Sequence, residues 1–272
     1  MDEASSTLSR ARGRVRSGDG TRIAYERHGE GPWVIVVSGA LGTAAEERAL
    51  AGLLAPRFSV VTYDRRGRGG SGDTGPYAVE REIDDLAALV TLAGEAGDGV
   101  CVHGTASGGA LALTAAAAGL PIGRLSVYEP PYATDPEAGE AHAVLGRRLA
   151  GLLGRGRRGD ALDLFLADAM APGALTALRG SPAWPGLEAL APTLAYDHAI
   201  LGDGQVPYER LTAVHARVLV VDGGFSPAGT RRAAGLVSTA LPRGRHRTLT
   251  GQTHLVAPHV LAPVLEDFFT EE

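Results

Sequence analysis

The 272-residue sequence contains no lysine and no asparagine, so all 26 positions counted as Lys or Arg are arginine. The absence of asparagine excludes N-linked glycosylation. With 38 glycines and 16 prolines on an alanine-rich background, the composition is typical of a very GC-rich bacterial genome, such as that of an actinobacterium. We attribute this bias to codon usage rather than to selection for a physical property.

Cysteine is nearly absent too. The single residue, Cys101, excludes an intramolecular disulfide and favours a reducing cytoplasmic location, and its apolar neighbours indicate an inert core position. Residues 1–20 lack the continuous apolar stretch of a secretory signal, and the least polar stretch, residues 110–120, is too short to cross a bilayer. We therefore expect a soluble protein with no membrane partner.

The charge balance excludes another class of partner. The formal net charge is −5, and the arginine-dense segments at residues 10–16 and 155–158 are short and interrupted. Because tracking a phosphate backbone needs a basic surface, we expect no nucleic-acid partner. The histidines show no metal-ligand spacing, and residues 104–109 match neither a phosphate-binding nor a dinucleotide-binding loop, so we predict no metal and no cofactor.

Short apolar runs alternate with amphipathic helical patterns along much of the chain. The predicted strands lie at residues 33–37, 59–63, 99–102, 125–128, 217–222 and 246–249. The predicted helices lie at residues 44–54, 79–96, 141–153, 160–169, 187–201 and 260–269. Residues 13–28 predict a leading antiparallel hairpin. This order predicts an α/β fold with a mainly parallel, eight-stranded sheet flanked by helices.

The alternation stops after the sixth strand. From residue 135 to about residue 210 the chain has helical patterns punctuated by proline and no convincing strand. A helical insertion between late strands of a parallel sheet is expected over the carboxyl edge, where such sheets bind ligands. We predict a core of residues 1–134 and 212–272, with a helical lid formed by residues 135–211.

A glycine-rich turn joins a predicted strand to an alanine-rich helix at residues 100–113. Its sequence Gly104-Thr-Ala-Ser-Gly108-Gly resembles the nucleophile elbow, G-x-S-x-G, of the α/β-hydrolase superfamily. Matching the two glycines puts Ala106 at the nucleophile position. The resemblance implies that Ser107, one place later, contributes its backbone N–H to the oxyanion hole.

Three further motifs extend the resemblance to both ends of the chain. Residues 36–42 resemble the H-G-x oxyanion loop, with Ser38 in place of histidine and Ala40 as the second oxyanion-hole residue. Residues 63–72 are similar to the D-x-R-G-x-G-x-S turn after the fourth strand. Gly251-Gln-Thr-His254 resembles the loop that presents the catalytic histidine. Tyr128-Glu-Pro-Pro-Tyr132 and Pro182-Ala-Trp-Pro185 resemble segments of small actinobacterial hydrolases of this superfamily. The resemblance implies the α/β-hydrolase fold and His254 as the acid–base.

The catalytic acid is missing from its usual place in this pattern, where Ser226 stands. A carboxylate after the sixth strand substitutes in some members of the superfamily. We predict Asp135 as this acid, although Asp135-Pro-Glu suits a helix cap equally well, and place Glu129 behind it. Asp222 is also near, but we expect it to point away.

The predicted pocket and the residue at the elbow define the functional hypotheses. Leu41, Tyr132, Trp184 and Phe225 predict a modest apolar pocket for a small-molecule carbonyl substrate. Ala106 has no hydroxyl and cannot form an acyl-enzyme. The first hypothesis is an esterase or lactonase whose nucleophilic serine is replaced by Ala106, either by engineering or naturally. The second is a natural non-hydrolytic enzyme, such as a cyclase or lyase, that uses His254. A more remote third is a ligand-binding module without catalysis. The sequence makes no prediction about oligomeric state.

Overall fold

The computed structural model describes residues 10–94, 99–167 and 169–271. Its eight strands form one sheet in the order β1-β2-β4-β3-β5-β6-β7-β8. β2 pairs antiparallel with both neighbours, and the pairs from β4 to β8 are all parallel. The strands are β1 (Arg10–Arg16), β2 (Arg22–His28), β3 (Trp33–Val37), β4 (Ser59–Tyr63), β5 (Val100–Thr105), β6 (Ile122–Tyr128), β7 (Arg217–Gly223) and β8 (Gly244–Leu249). The predicted eight-stranded, mainly parallel α/β sheet is confirmed.

Helices flank the sheet and also fill the long connection between β6 and β7. They are α1 (Arg48–Leu54), α2 (Val79–Leu92), α3 (Ser107–Ala117), α4 (Pro136–Leu153), α5 (Arg158–Leu166), α6 (Pro172–Arg179), α7 (Trp184–Leu190), α8 (Leu194–Leu201), α9 (Tyr208–Leu211), α10 (Ala228–Ala240) and α11 (Pro258–Thr270). No helix in these described ranges is long and apolar enough to cross a membrane.

The core has two apolar layers because alternate residues of a strand face opposite sides of the sheet. On β3, Ile35 and Val37 pack with α2, α3 and α10, whereas Val34 and Val36 pack with α1 and α11. Every residue of β4 is buried. Two-sided burial explains why these strands appear in the sequence as uninterrupted apolar runs.

A third apolar cluster lies among the helices between β6 and β7. It joins Leu149, Leu162 and Trp184 to Leu41, which comes from the loop after β3. This cluster attaches the inserted helices to the sheet beside the predicted oxyanion loop. That residues 135–211 act as a lid, separate from a core of residues 1–134 and 212–272, stays a prediction.

Several predicted elements differ in extent from those in the structure. The helix predicted at residues 187–201 is divided into α7, a 3-10 turn at Ala191–Thr193 and α8. Pro192 lies at this division, where its ring supplies no backbone N–H for a continuous helix. The ends predicted for helices at residues 79–96 and 160–169 run into residues 95–98 and 168, outside the described residues. Residues 1–9 of the stretch searched for a secretory signal also lie outside them.

Candidate active site

Ala106 stands at the apex of a sharp turn between β5 and α3. Its backbone angles are φ 49° and ψ −120°, a combination that costs a residue with a Cβ on the order of 1–3 kcal/mol. The glycines on either side allow close backbone contacts. A Cβ on Gly104 would lie 2.6 Å from the Gly109 Cα, and one on Gly108 would lie 2.3 Å from the Val37 carbonyl oxygen. The glycine-rich turn in the sequence is therefore a strained strand-to-helix elbow.

The first residue of α3, Ser107, directs its two polar groups differently. The carbonyl of Ala106 accepts a bond from the Ala110 N–H at 3.1 Å, so the N–H of Ser107, in the same trans peptide unit, points the opposite way, out of the helix N-terminus. The Ser107 hydroxyl instead donates to Asp197 Oδ1 at 2.7 Å in the interior. Of these two groups of Ser107, the N–H is thus the one that can reach a ligand at the elbow. The positive end of the helix dipole strengthens its attraction for a negatively charged atom.

The loop that contains Ala40 lies against this elbow. A Cβ on Gly39 would come 3.3 Å from the Ala106 Cβ. Leu41, which follows, has a positive φ of 60°, so the chain turns sharply directly after Ala40. Ser38, which replaces the histidine of the resembled motif, is buried. The residue before Ala40 thus lies against Ala106, and Ser107 follows Ala106 in the chain.

His254 forms a hydrogen bond with Glu129, whose Oε2 lies 2.8 Å from the ring Nδ1. The other carboxylate oxygen of Glu129 accepts the N–H of Gly223 at 2.8 Å. Glu129 is buried, whereas the His254 side chain is 54% exposed. One end of the imidazole is therefore anchored inside the protein while the rest of the ring reaches solvent.

Tyr128, the last residue of β6, connects the pair of His254 and Glu129 (the dyad) to the elbow. Its carbonyl accepts the Ala106 N–H at 2.8 Å, and its hydroxyl donates to the Thr253 carbonyl at 2.5 Å. Glu129 is the next residue along the chain, and His254 follows Thr253. Ala106, Glu129 and His254 are therefore all linked to Tyr128, directly or through a neighbouring residue, at the carboxyl edge of the sheet.

The surroundings of Glu129 keep it ionised. Burial alone would raise the pKa of this carboxyl, but His254, the nearby Ser226 hydroxyl and the Gly223 N–H lower it, and the net shift is downward. A carboxylate only accepts hydrogen bonds, so the bonded Nδ1 of His254 must carry the proton. In a neutral imidazole with this tautomer, the lone pair is on the opposite ring nitrogen, Nε2.

In the structure His254 contacts Glu129 and not Asp135, the acid predicted from the sequence. Asp135 is exposed, and its Oδ1 accepts the Ala138 N–H at 2.9 Å, capping α4. Asp222 pairs with His246 at 2.7 Å. Glu129, ranked second from the sequence, has a positive φ of 47° that turns it out of the line of β6. Asp135 lies six residues farther along, where the chain has already begun a helix.

Ser226, at the usual acid position, is buried next to Glu129. Here a hydroxyl lies beside the carboxylate of Glu129, which comes from the end of β6 rather than from the segment after β7. The Glu-Pro-Pro sequence directly after a buried strand is the signal in the sequence that points to this position.

The four predicted pocket residues do not form one cluster. Leu41 and Trp184 are buried together in the apolar cluster of the inserted helices. Tyr132 is buried in the core layer that includes α3. Phe225 is 77% exposed, and its backbone N–H donates to the carbonyl of Gln252, near the His254 loop. Phe225 therefore lies at the rim of the site, and Leu41 lies between the oxyanion loop and the inserted helices.

The other histidines have structural surroundings. His103 is fully buried, which lowers its pKa to about 4, and its Nδ1 lies 3.3 Å from the Ser126 hydroxyl. His142 and His198 stack on each other with ring centroids 4.0 Å apart. Within the described part of the chain, no group of three His, Cys, Asp or Glu residues could hold a metal ion.

The sequence matches the model of the α/β hydrolase family over residues 28–267. The chain belongs to the α/β hydrolase family. An α/β hydrolase from Sphaerobacter thermophilus is 49% identical, with a TM-score of 0.84 and alignment over 95% of this chain and 100% of that one. Both comparisons confirm the resemblance and indicate a hydrolase-type enzyme.

More distant α/β hydrolases share the fold. A thermophilic esterase from Thermogutta terrifontis is 22% identical, with a TM-score of 0.67 over 94% of this chain and 96% of that one. The enol-lactonase from Burkholderia xenovorans is 21% identical, with a TM-score of 0.69 over 95% of this chain and 100% of that one. A search of the curated proteins gives no match.

Proposed function

We propose that this α/β hydrolase acts on small apolar carbonyl compounds of the ester or lactone type, with Ala106 at the nucleophile position. The observation that carries the proposal is the His254–Glu129 pair, at 2.8 Å, beside an elbow that keeps its strained backbone. The names of the esterase and the enol-lactonase among the similar structures support this substrate class.

Each group has a distinct chemical role in the proposed site. Glu129 fixes the Nδ1–H tautomer of His254 and stabilises the imidazolium when Nε2 takes up a proton. The N–H groups of Ala40 and Ser107 stabilise the oxyanion that develops when a carbonyl carbon is attacked. A serine hydroxyl at position 106 would transfer its proton to Nε2 as its oxygen bonds to that carbon. The same proton would then pass to the departing alkoxide, and water would hydrolyse the acyl-enzyme.

The Ala106 methyl group cannot take this step, because it has neither a lone pair nor an acidic proton. We therefore propose that the present chain is the nucleophile-free form of such a hydrolase. One observation favours a second candidate: the dyad and elbow are complete although the nucleophile is absent. A non-hydrolytic enzyme of this fold needs the acid–base and the oxyanion hole but no hydroxyl.

Ala106→Ser distinguishes the two candidates, with Ala106→Gly as the matched control that alters the same position without adding a hydroxyl. For the nucleophile-free hydrolase we expect an alkyl fluorophosphonate to label the introduced serine stoichiometrically, as detected by intact mass, and short p-nitrophenyl esters to be turned over. Adding His254→Ala should lower that turnover by about 10²–10⁴-fold. A folded Ala106→Ser variant that neither labels nor hydrolyses any ester would contradict this candidate and favour the non-hydrolytic one.

A further inference from the structure

Beneath the elbow lies a buried polar network that contains Arg65, Arg68, Glu82, Asp197 and Ser107. Both arginine side chains are 1% exposed. Arg65 forms a two-point ion pair with Glu82, both contacts at 2.8 Å, and its Nη1 reaches Asp197 Oδ1 at 2.7 Å. Arg68 Nη2 contacts the other oxygen of Asp197, also at 2.7 Å. The two arginines and two carboxylates balance in charge, which is the condition for holding them in the interior.

The Arg68 side chain also donates hydrogen bonds to backbone carbonyls of the oxyanion loop. Its Nη1 donates to the carbonyl of Gly39 at 2.6 Å and to that of Gly42 at 3.2 Å. The Gly39 carbonyl and the Ala40 N–H belong to one planar trans peptide unit, in which C=O and N–H point in opposite directions. By holding the carbonyl toward the network, Arg68 turns the Ala40 N–H to the opposite side of the loop.

The orientation of Arg68 is set in turn by the inserted helices. Its Nε donates to the Thr193 hydroxyl at 3.1 Å, immediately before α8, and its Nη2 donates to Asp197 on α8. Asp197 also accepts the Ser107 hydroxyl. The Asp197 carboxylate on α8 thus contacts both Ser107, whose N–H is one proposed oxyanion donor, and Arg68, which orients the other donor, the Ala40 N–H.

We propose that Arg68 is a positioning residue of the oxyanion hole, and that Asp197 couples helix α8 to both oxyanion donors. This inference rests on the proposed role of the Ala40 and Ser107 amides. A planar guanidinium can hold the loop carbonyls, the threonine and the carboxylate at once, because its donors form a rigid fork. A lysine has one flexible ammonium and cannot reproduce that set of directions.

Arg66 provides a matched control. It is also fully buried, and it forms a two-point ion pair with Asp85, at 2.6 and 2.7 Å, and a contact with Asp19 at 2.9 Å. Its contacts include no carbonyl of the oxyanion loop. Arg66→Lys therefore alters a comparable buried arginine without removing a contact to the oxyanion loop. A general loss of packing should lower kcat equally in Arg66→Lys and Arg68→Lys.

The first readout uses turnover of p-nitrophenyl acetate in the Ala106→Ser background. Removing an oxyanion donor costs about 10²–10³-fold in kcat, and a displaced donor should cost part of this. We expect Arg68→Lys to lower kcat at least about tenfold with KM changed less than about threefold, and Arg66→Lys to change kcat less than about threefold. Asp197→Asn, which keeps the side-chain shape, should lower kcat by an amount between those of Arg66→Lys and Arg68→Lys. Equal effects of the two lysine variants on kcat would overturn the proposal.

The second readout needs no turnover and uses the parent chain. Phenylphosphonate serves as the anionic probe, and the backbone amide signals of Ala40 and Ser107 are followed by nitrogen-15 NMR. We expect both amide signals to shift when phenylphosphonate is added to the parent or to Arg66→Lys. The apparent Kd for phenylphosphonate should rise at least about tenfold in Arg68→Lys. If that variant does not fold, the same rise is expected in Asp197→Asn. No shift in the parent would overturn the inference, because these amides would then not form an anion site. An inactive Ala106→Ser variant combined with the expected shifts would contradict the proposed hydrolysis but leave this inference standing.

Discussion

Glutamine in place of Glu129 should disable the proposed acid–base through the tautomer of His254. In the structure one carboxylate oxygen must accept the Gly223 N–H, and the other accepts the His254 Nδ1–H. Glutamine has only one oxygen. If that oxygen stays on the buried Gly223 N–H, the amide NH₂ faces Nδ1 and forces it to become an acceptor. The proton then lies on Nε2, which can no longer take a proton from the nucleophile.

The size of this effect follows from the exposure of the ring. The corresponding aspartate-to-asparagine change in a serine protease triad lowers kcat by about 10⁴-fold, for the same reason. The His254 side chain is 54% exposed, so water can partly take over the orientation of the ring. We therefore expect a loss of about 10²–10³-fold for Glu129→Gln, which corresponds to about 3–4 kcal/mol of transition-state stabilisation.

The assay is hydrolysis of p-nitrophenyl acetate by Ala106→Ser and by the same variant carrying Glu129→Gln or Asp135→Asn. Asparagine caps a helix about as well as aspartate, so Asp135→Asn should preserve both stability and activity within about twofold. Circular dichroism and thermal unfolding establish that each protein is folded. A loss above tenfold for Asp135→Asn together with full activity for Glu129→Gln would refute the assignment of the acid.

Two further predictions concern stability. In urea unfolding, Ala106→Gly should be neutral or stabilising by up to about 1 kcal/mol, because relief of the strain at φ 49° offsets the added entropy of the unfolded chain. The control Ala110→Gly, in the regular helix α3, should cost about 1–2 kcal/mol. Equal losses of stability in the two variants would show that position 106 stores no strain. Burial lowers the pKa of His103 to about 4. Between pH 6.5 and pH 4 the unfolded chain therefore binds a proton at this histidine that the folded chain does not bind. The free energy of unfolding should consequently fall by up to about 3 kcal/mol as the pH is lowered through this range. His103→Gln should lose this part of the pH dependence in urea titrations, and an unchanged difference between the two pH values would contradict the assignment.

The buried strands β3 to β7 could be predicted because most of their residues are apolar and each ends at a turn, whereas β1 and β8 are mostly polar and exposed. The helix α10 was not among the predicted elements, since its buried positions are mainly small: Ala233, Ala234 and Val237. The large apolar residues of α10 are Leu236 and Val237 alone, and the remaining positions are small or polar. Its overall apolar content is therefore low, although the few apolar residues that it has share one buried face.

The elbow, the oxyanion loop and the histidine loop could also be predicted, because each is a local pattern of glycines and polar residues. The acid could not be decided from the sequence, since Glu129 and Asp135 both follow β6. Contacts with β7 hold Glu129 beside His254: the Glu129 N–H donates to the Val221 carbonyl at 2.9 Å, and its carboxylate accepts from Gly223. Arg68 and Asp197 are 129 positions apart, and nothing local marks them as partners.

The geometry of the elbow does not depend on the side chain at position 106. The close approaches of Gly104 to Gly109 and of Gly108 to Val37 fix the backbone on both sides of Ala106. The Ala106 N–H and carbonyl are also bonded, to Tyr128 and Ala110, so the residue between them is held in its strained conformation by its neighbours. Serine adds one oxygen to alanine and leaves these restraints intact. Introducing a hydroxyl at position 106 is therefore a one-atom change at a turn whose backbone stays fixed, which is why a single substitution can test the function proposed for the whole site.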